Sequence, residues 1–387
     1  MRVLIAPDKF KGTLTARQAA EAIARGWRKA RPADELTLLP ISDGGDGFGA
    51  VMGELLQAKS QRVKTVDAAH QPIVASWWWQ PRTRTAIIES ANIIGLAMLP
   101  PGKFHPFQLD TFGLGAAIQA VQNQGAKRII LGIGGSATND GGFGLARALG
   151  WKFFNRSGGE LTQWTELTEL HSIQPPAKPL RKGWITVAVD VNNPLLGARG
   201  ATRIYGPQKG IRPQDIIPAE RCLRRVAQVM KQQFGLDFAK SPGAGAAGGL
   251  GFGLATFAGA RFVSGFELFA AQAKLSRRLA QAELLITGEG ALDRSSLMGK
   301  GAGRLAALGC AKKLPVIGLA GVIRDIAAVG ENFHAAWALA ELTTSEKARR
   351  RAAFWLTELA FRTAQKLPGK IRKVDWQSLR SMVKLTT

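Results

Sequence analysis

Cysteine is nearly missing from this chain of 387 residues, which has only Cys222 and Cys310. Two thiols in helix-like segments make no disulfide framework and read as buried free thiols of a reducing compartment. Histidine is scarce too: His70, His105, His171 and His334 lie far apart in sequence. With no HExxH, no GxSxG and no Walker A pattern, zinc chemistry, serine hydrolysis and a P-loop nucleotide site lose their usual support. No uncharged apolar run reaches the roughly 18 residues of a membrane span. The start, MRVLIAPDKF, meets a charge by Asp8 without an extended apolar stretch, so no signal peptide and a cytoplasmic location are expected. Acids are outnumbered, 28 Asp+Glu against 52 Lys+Arg, for a formal charge of +24. Part of the excess is local, since Glu346 to Thr387 carries 11 Lys/Arg and 3 Asp/Glu. RNP, zinc-finger and basic-zipper patterns are missing, so the charge reads as a basic surface attracting small anions, not as a nucleic-acid interface.

What is present is glycine, 45 residues of it, in a chain that is 46% hydrophobic. That composition and length suit two α/β domains with proper cores. Val3 to Ala6 reads as a strand, followed by a helix with a Thr15/Gln18 capping box and a stripe of Ala16, Ala20, Ile23 and Trp27. A strand at Leu36–Ile41 leads through Ser42-Asp43-Gly44-Gly45-Asp46-Gly47 into another helix. This alternation implies a parallel, helix-covered sheet whose carboxyl edge carries the charged turns. From about Gln61 the texture changes to the short β runs Gln61–Val66, Ile73–Trp79 and Thr85–Glu89, as in a mixed sheet. The adjacent Trp77, Trp78 and Trp79 would point to alternate faces of one strand and pack on both. Helices are expected over Leu114–Gln122, Ala219–Phe234, around Glu267–Ala282 and over Ser345–Lys366. The opening texture returns with strands at Leu284–Thr287, Val316–Ala320 and Ala335–Ala340. The expected fold is therefore a parallel-sheet α/β domain from both chain ends, 1–62 and 283–387, with a mixed-sheet α/β domain, 63–282, inserted.

The stretch Arg128 to Gly150, RIILGIGGSATNDGGFGLARALG, is a short buried strand, a glycine-rich turn and a helix resuming near Phe143. Such a turn exposes backbone N–H groups at a helix start, where the dipole favours anions, and glycine lets a ligand approach closely. A simple strand-to-helix turn capped by Ser136 or Asn139 is the plainer alternative. Gly243, Gly245 and Gly248 match GxGxxG without the preceding strand that a dinucleotide site needs.

Acids recur beside these loops: Asp43 and Asp46 in DGGDG, Asp140 in NDGG, Asp190 in AVDVNNP, Glu289 and Asp293 in TGEGALD. Carboxylates at such turns often cap helices. Together with anion-cradling loops they also suit phosphoryl transfer, in which oxygen ligands hold Mg²⁺, a carboxylate accepts the hydroxyl proton, and cations such as Lys9, Lys11, Arg199 and Lys300 position the anions.

Taken in order, PDKFKGTL, DGGDG, GIGGSATNDGG, VDVNNPL, YGPQKG, PGAGAAGGLG and ITGEGALD…GK resemble the bacterial class I glycerate kinases, over residues 2 to about 320. Lys9 stands where that family usually has serine, and Asp46 where it has glutamate. The resemblance implies ATP- and Mg²⁺-dependent phosphorylation of D-glycerate, usually at the 2-hydroxyl, on two α/β domains with the active site between them. It places functional positions on Asp43, Asp46, Asp190, Glu289, Asp293 and the run Gly134, Gly135, Ser136, Thr138, Asn139 and Asp140. Asp190 is expected to be the base, and Glu289 and Asp293 to hold Mg²⁺ with Asp43 or Asp46. The Ser136 loop and Lys300 are expected to bind nucleotide phosphate, or the loop the substrate carboxylate, with Arg199 and Lys11 pairing with that carboxylate. A kinase for another small hydroxy acid or polyol, and a catalytically silent basic binding protein, are the alternatives.

Overall fold

The computed structural model describes residues 1–294 and 301–367. In chain order the elements begin with β1 (Arg2–Ile5), α1 (Ala16–Ala30), β2 (Glu35–Leu38), α2 (Phe48–Leu55), β3 (Lys59–Val66), β4 (Pro72–Gln80) and β5 (Thr85–Glu89). They continue with α3 (Ala91–Ile94), α4 (Leu114–Asn123), β6 (Arg128–Gly132), α5 (Phe143–Ala148), β7 (Lys152–Phe154), β8 (Ser172–Gln174), β9 (Ile185–Ala188) and α6 (Ala201–Tyr205). Next come α7 (Pro213–Phe234), α8 (Ala246–Phe257), β10 (Arg261–Val263), α9 (Gly265–Gln272), α10 (Leu275–Gln281), β11 (Leu284–Thr287) and β12 (Ala291–Leu292). The last are α11 (Gly301–Ala311), β13 (Val316–Ala320), β14 (Val322–Ile323), α12 (Ile326–Asn332), β15 (Ala335–Ala338), α13 (Ser345–Arg350) and α14 (Ala352–Lys366).

The chain divides into two compact units, Met1–Asp43 with the described residues from Phe269 onward, and Gly44–Leu268. The first boundary falls inside DGGDG, ahead of the expected residue 62, because α2 packs on the second unit's strands. A Cβ on Gly49 would overlap the Trp78 ring, and one on Gly53 would come within 2.6 Å of it. The two glycines thus make the flat face on which that tryptophan lies. Trp77 is buried on the opposite face of β4, edge-on to Trp79 at 6.3 Å, as the strand alternation requires.

Unit 1 is a five-stranded sheet in the order β15-β13-β11-β1-β2, parallel throughout. Read from β2, this is the 2-1-3-4-5 order of a doubly wound fold, whose switch point lies between β1 and β11. The Thr15/Gln18 capping box forms as expected and starts α1. One face of α1 buries Ala19, Ala20, Ile23 and Trp27 in a core with Leu356, Leu359 and Ala360 of α14. The approach of the two helices depends on Gly26, where a Cβ would overlap the Thr357 carbonyl oxygen. Gly26→Ala is therefore expected to cost about 1–3 kcal/mol, the usual range for forcing a methyl into a packed contact. Thermal unfolding checks it, and an unchanged Tm would mean the helices part freely.

Unit 2 carries a six-stranded sheet in the order β10-β9-β6-β5-β4-β3, antiparallel from β3 to β5 and parallel from β5 to β10. Buried side chains of β4, β5, β6 and β9 pack with Ile118 and Val121 of α4 and Leu250 and Leu254 of α8. A second cluster gathers Phe143, Phe153, Trp164, Leu223, Val226, Phe252 and Phe257 around α7. Two long helices expected from periodicity are each broken. Lys274, in the left-handed region at φ 48°, separates α9 from α10, and Arg351 separates α13 from α14.

Candidate active site

In unit 1 the ends of β1 and β11 put carboxylates at the switch point, where open α/β sheets bind ligands. Asp8 follows β1, with its N–H donating to the Gly288 carbonyl at 2.8 Å, and Glu289 follows β11. Asp8 is 8% exposed, and its pKa is pushed up to about 7, first by burial, then by the charge of Asp43 and further by that of Glu289. The Lys9 N–H, donating to Asp8 Oδ1 at 2.6 Å, works in the opposite direction. Three acids from the ends of β1, β2 and β11 thus share one field. Among the described residues no three His, Cys, Asp or Glu side chains are grouped as a ready metal centre.

In unit 2 the glycine-rich turn lies beyond β6, and the rest of DGGDG folds onto it. The Gly134 N–H donates to the Gly44 carbonyl at 3.0 Å. Gly135 has φ 79°, and a Cβ there would overlap Asp46 Oδ1, so only glycine gives the loop this closeness. Glu89, the last residue of β5, accepts from the Gly47 and Gly49 N–H groups at 2.7 and 2.8 Å. Its carboxylate holds the start of α2 and with it the Asp46 turn.

Past Gly135 the turn goes inward, and Ser136 is 5% exposed while Thr138, Asn139 and Asp140 are 0%. The Ser136 hydroxyl donates to the Ala247 carbonyl at 3.1 Å. Asn139 Nδ2 donates to Thr202 Oγ1 at 3.1 Å, and neither Asn139 Oδ1 nor Thr138 Oγ1 has a partner. A buried polar atom without a partner is costly and marks a strained or ligand-seeking loop. Gly248, at φ 69°, lets the PGAGAAGG segment close on this turn, since a Cβ there would overlap the Thr138 carbonyl oxygen.

Asp140 is fully buried. Its carboxylate accepts from Thr111 N and Oγ1, Gly142 N and Gly144 N, at 3.0, 2.7, 3.2 and 2.9 Å. Burial raises it to about 6, helped by Asp110, against those hydrogen bonds. It ties the loop to Thr111 and to the start of α5, the capping use of an acid after a strand. Asp190, just beyond β9, is half-buried; it accepts from Ser264 Oγ at 2.6 Å and from Phe266 N–H at 2.9 Å, which fastens the start of α9.

The other expected residues are spread. Asp43 stands with Asp8 and Glu289 in unit 1, whereas Asp46 belongs to the Gly135 loop of unit 2, so the paired acids of DGGDG serve different surroundings. Asp293 is half-buried after β12, and Lys11 and Arg199 are exposed, with the Arg199 carbonyl accepting from Asn193 Nδ2 at 2.8 Å. Lys300 lies outside the described residues.

With that geometry in place, a profile described as the glycerate kinase family matches residues 3–367. The chain belongs to the glycerate kinase family. It is 37% identical to a glycerate 2-kinase of Escherichia coli over 328 residues, 84% of this chain and 86% of the relative. It is 35% identical to a glycerate kinase of Halalkalibacterium halodurans over 326 residues, 82% and 85% of the two chains. A crystal structure of a provisionally named glycerate kinase 2 from Salmonella typhimurium LT2 superposes with a TM-score of 0.76 at 33% identity, covering 94% of this chain and 97% of that one.

Three residues of this family member were not singled out from sequence. Asp8 lies just past a parallel strand, the same signal that marks Glu289, with lysines close after it. Glu89 closes a wholly buried strand, TAIIE, where a charge needs a partner. Lys209 lies within YGPQKG, but nothing local shows its burial, which follows from the fold of separate loops.

Proposed function

We propose that this protein transfers the γ-phosphoryl group of ATP to D-glycerate, giving 2-phosphoglycerate, in the cytoplasm. The observation that carries the reading is the trio of acids in one field at the switch point of unit 1. Carboxylates that raise one another's pKa favour a bound cation, and Mg²⁺ is commonly held by one or two carboxylates, with waters and nucleotide phosphates completing its shell. Glu289 and Asp43, with Asp8 beside them and Asp293 on the following turn, would hold Mg²⁺, which neutralises phosphate charge when bound. The Gly134–Asn139 turn supplies amides and partnerless side-chain atoms for an anion. Asp190, a half-buried carboxylate just beyond β9, takes the proton of the attacking hydroxyl.

The names of the relatives support glycerate as acceptor, and the E. coli relative's name supports the 2-position. Coupled ADP detection over glycerate, other hydroxy acids and polyols tests the acceptor, and preference for an uncharged polyol would overturn glycerate. Proton-coupled ³¹P NMR of the product tests the position. Phosphate on C2 sees one geminal proton and gives a doublet, whereas phosphate on C3 sees two and gives a triplet. A triplet would replace 2-phosphoglycerate by its isomer.

A further inference from the structure

Lys209 ends the 3₁₀ turn Pro207–Lys209 and is 7% exposed. Its ammonium donates to the Thr138 carbonyl at 2.6 Å and to Ser136 Oγ at 3.2 Å. The Ser136 proton is already directed to Ala247, so that oxygen is free to accept. An ammonium has three protons to give. Among the described residues the third meets no acceptor, and no carboxylate is within ion-pair distance of Lys209. Thr138 Oγ1 and Asn139 Oδ1, in the same turn, are the partnerless buried atoms already described.

The neighbouring charges are engaged elsewhere. Arg203 pairs with Glu220 at 3.1 Å; Arg212 and His105 both meet Asp215, at 2.9 and 3.2 Å. His105 precedes Pro106, which packs on Gly210 beside the lysine. Among the described residues it is Asp140 whose charge acts on Lys209, and its oxygens are taken by Thr111, Gly142 and Gly144. Burial pushes the ammonium down to about 7 in spite of Asp140. A buried cation held by neutral oxygens alone is unfavourable unless an anion joins it.

We propose that Lys209 is the binding cation for an anionic oxygen of the substrate pair, either the carboxylate of glycerate or a nucleotide phosphate, and gives it the third ammonium proton. This rests on the kinase reading and replaces the exposed Arg199 as the partner of that anion. Binding then takes up a proton wherever free Lys209 is neutral, so affinity for the anion falls as pH rises above about 7.

The test is titration calorimetry of D-glycerate alone and of ADP alone, on either side of pH 7, in buffers of different ionisation enthalpy. Wild type is compared with Lys209→Met and Lys209→Arg. Lys209→Met is expected to weaken one ligand by roughly 30- to 4,000-fold, the cost of truncating one partner of a buried charge pair. Loss confined to glycerate assigns the carboxylate, and loss confined to ADP the phosphate. Lys209→Arg stays charged at all pH and is expected to lose the proton uptake. Should wild type bind both ligands above pH 7 with no proton uptake, or should Lys209→Arg keep it, the assignment is overturned even if Lys209→Met fails to fold. ATP turnover with D-glycerate, followed alongside in wild type, separates the two readings. Turnover without Lys209-linked uptake sinks only this inference, and Lys209-linked binding without turnover sinks only the activity.

Discussion

Asp190→Asn is expected to lower kcat with glycerate by roughly 100- to 10,000-fold, the span that a positioned general base contributes. The protein stays folded, because the change disturbs little of the local bonding. Oδ1 of the asparagine still accepts from the Phe266 N–H, and the Ser264 hydroxyl turns to accept from Nδ2 in place of donating. A loss of kcat alone does not separate a base from a residue that only fastens α9, so the pH profile decides. A base gives kcat/KM an acid limb that disappears in the variant, while a fastening residue scales the profile without changing its shape. Turnover close to wild type, or an unchanged acid limb, would remove Asp190 from the chemistry and leave it as the anchor of α9.

For Glu289→Gln the expected result is a rise of at least roughly 10- to 100-fold in the Mg²⁺ concentration giving half-maximal rate, since losing even an outer-shell partner of a metal costs that much. A second consequence needs no substrate. Asp8 titrates near 7 in the folded protein against an ordinary 3.8, so folding is favoured below 3.8 and loses that support as pH rises through about 7. The whole effect is at most about 4 kcal/mol. Neutralising Glu289 removes one of the charges that hold Asp8 up, so the metal-free variant gains stability over wild type above pH 7 and none below 3.8. Thermal unfolding across that range measures it. A difference between the two proteins that does not vary with pH would mean the carboxylates do not sense each other.

How far the site could be read beforehand depended on whether a residue's partners were local. The strand, glycine turn and helix from Arg128 to Ala148 were visible because each part has its own short-range signal, and the Thr15 capping box was visible for the same reason. The breaks at Lys274 and Arg351 were not, since neither is the glycine or proline that normally marks one. Asp140 looks like a ligand in NDGG, yet Thr111, far along the chain, takes its oxygens. Lys209 looks like one more surface lysine until three loops close around it. The acids of DGGDG sit three residues apart and read as one pair, because nothing local shows that the packing of Gly49 and Gly53 under Trp78 draws the second half of the motif into the other unit.

The interleaved order of unit 1 also bears on biogenesis. β1 pairs with β2 nearby but on its other side with β11, and α1 is covered by α14, so the first strands emerge from the ribosome long before their remaining neighbours exist. The second unit is one uninterrupted segment, Gly44–Leu268, whose contacts are all available once it has been translated. Synthesis therefore favours the later segment maturing first, while the N-terminal strand–helix–strand waits with its apolar side uncovered. That interval is when nascent chains have most need of a chaperone.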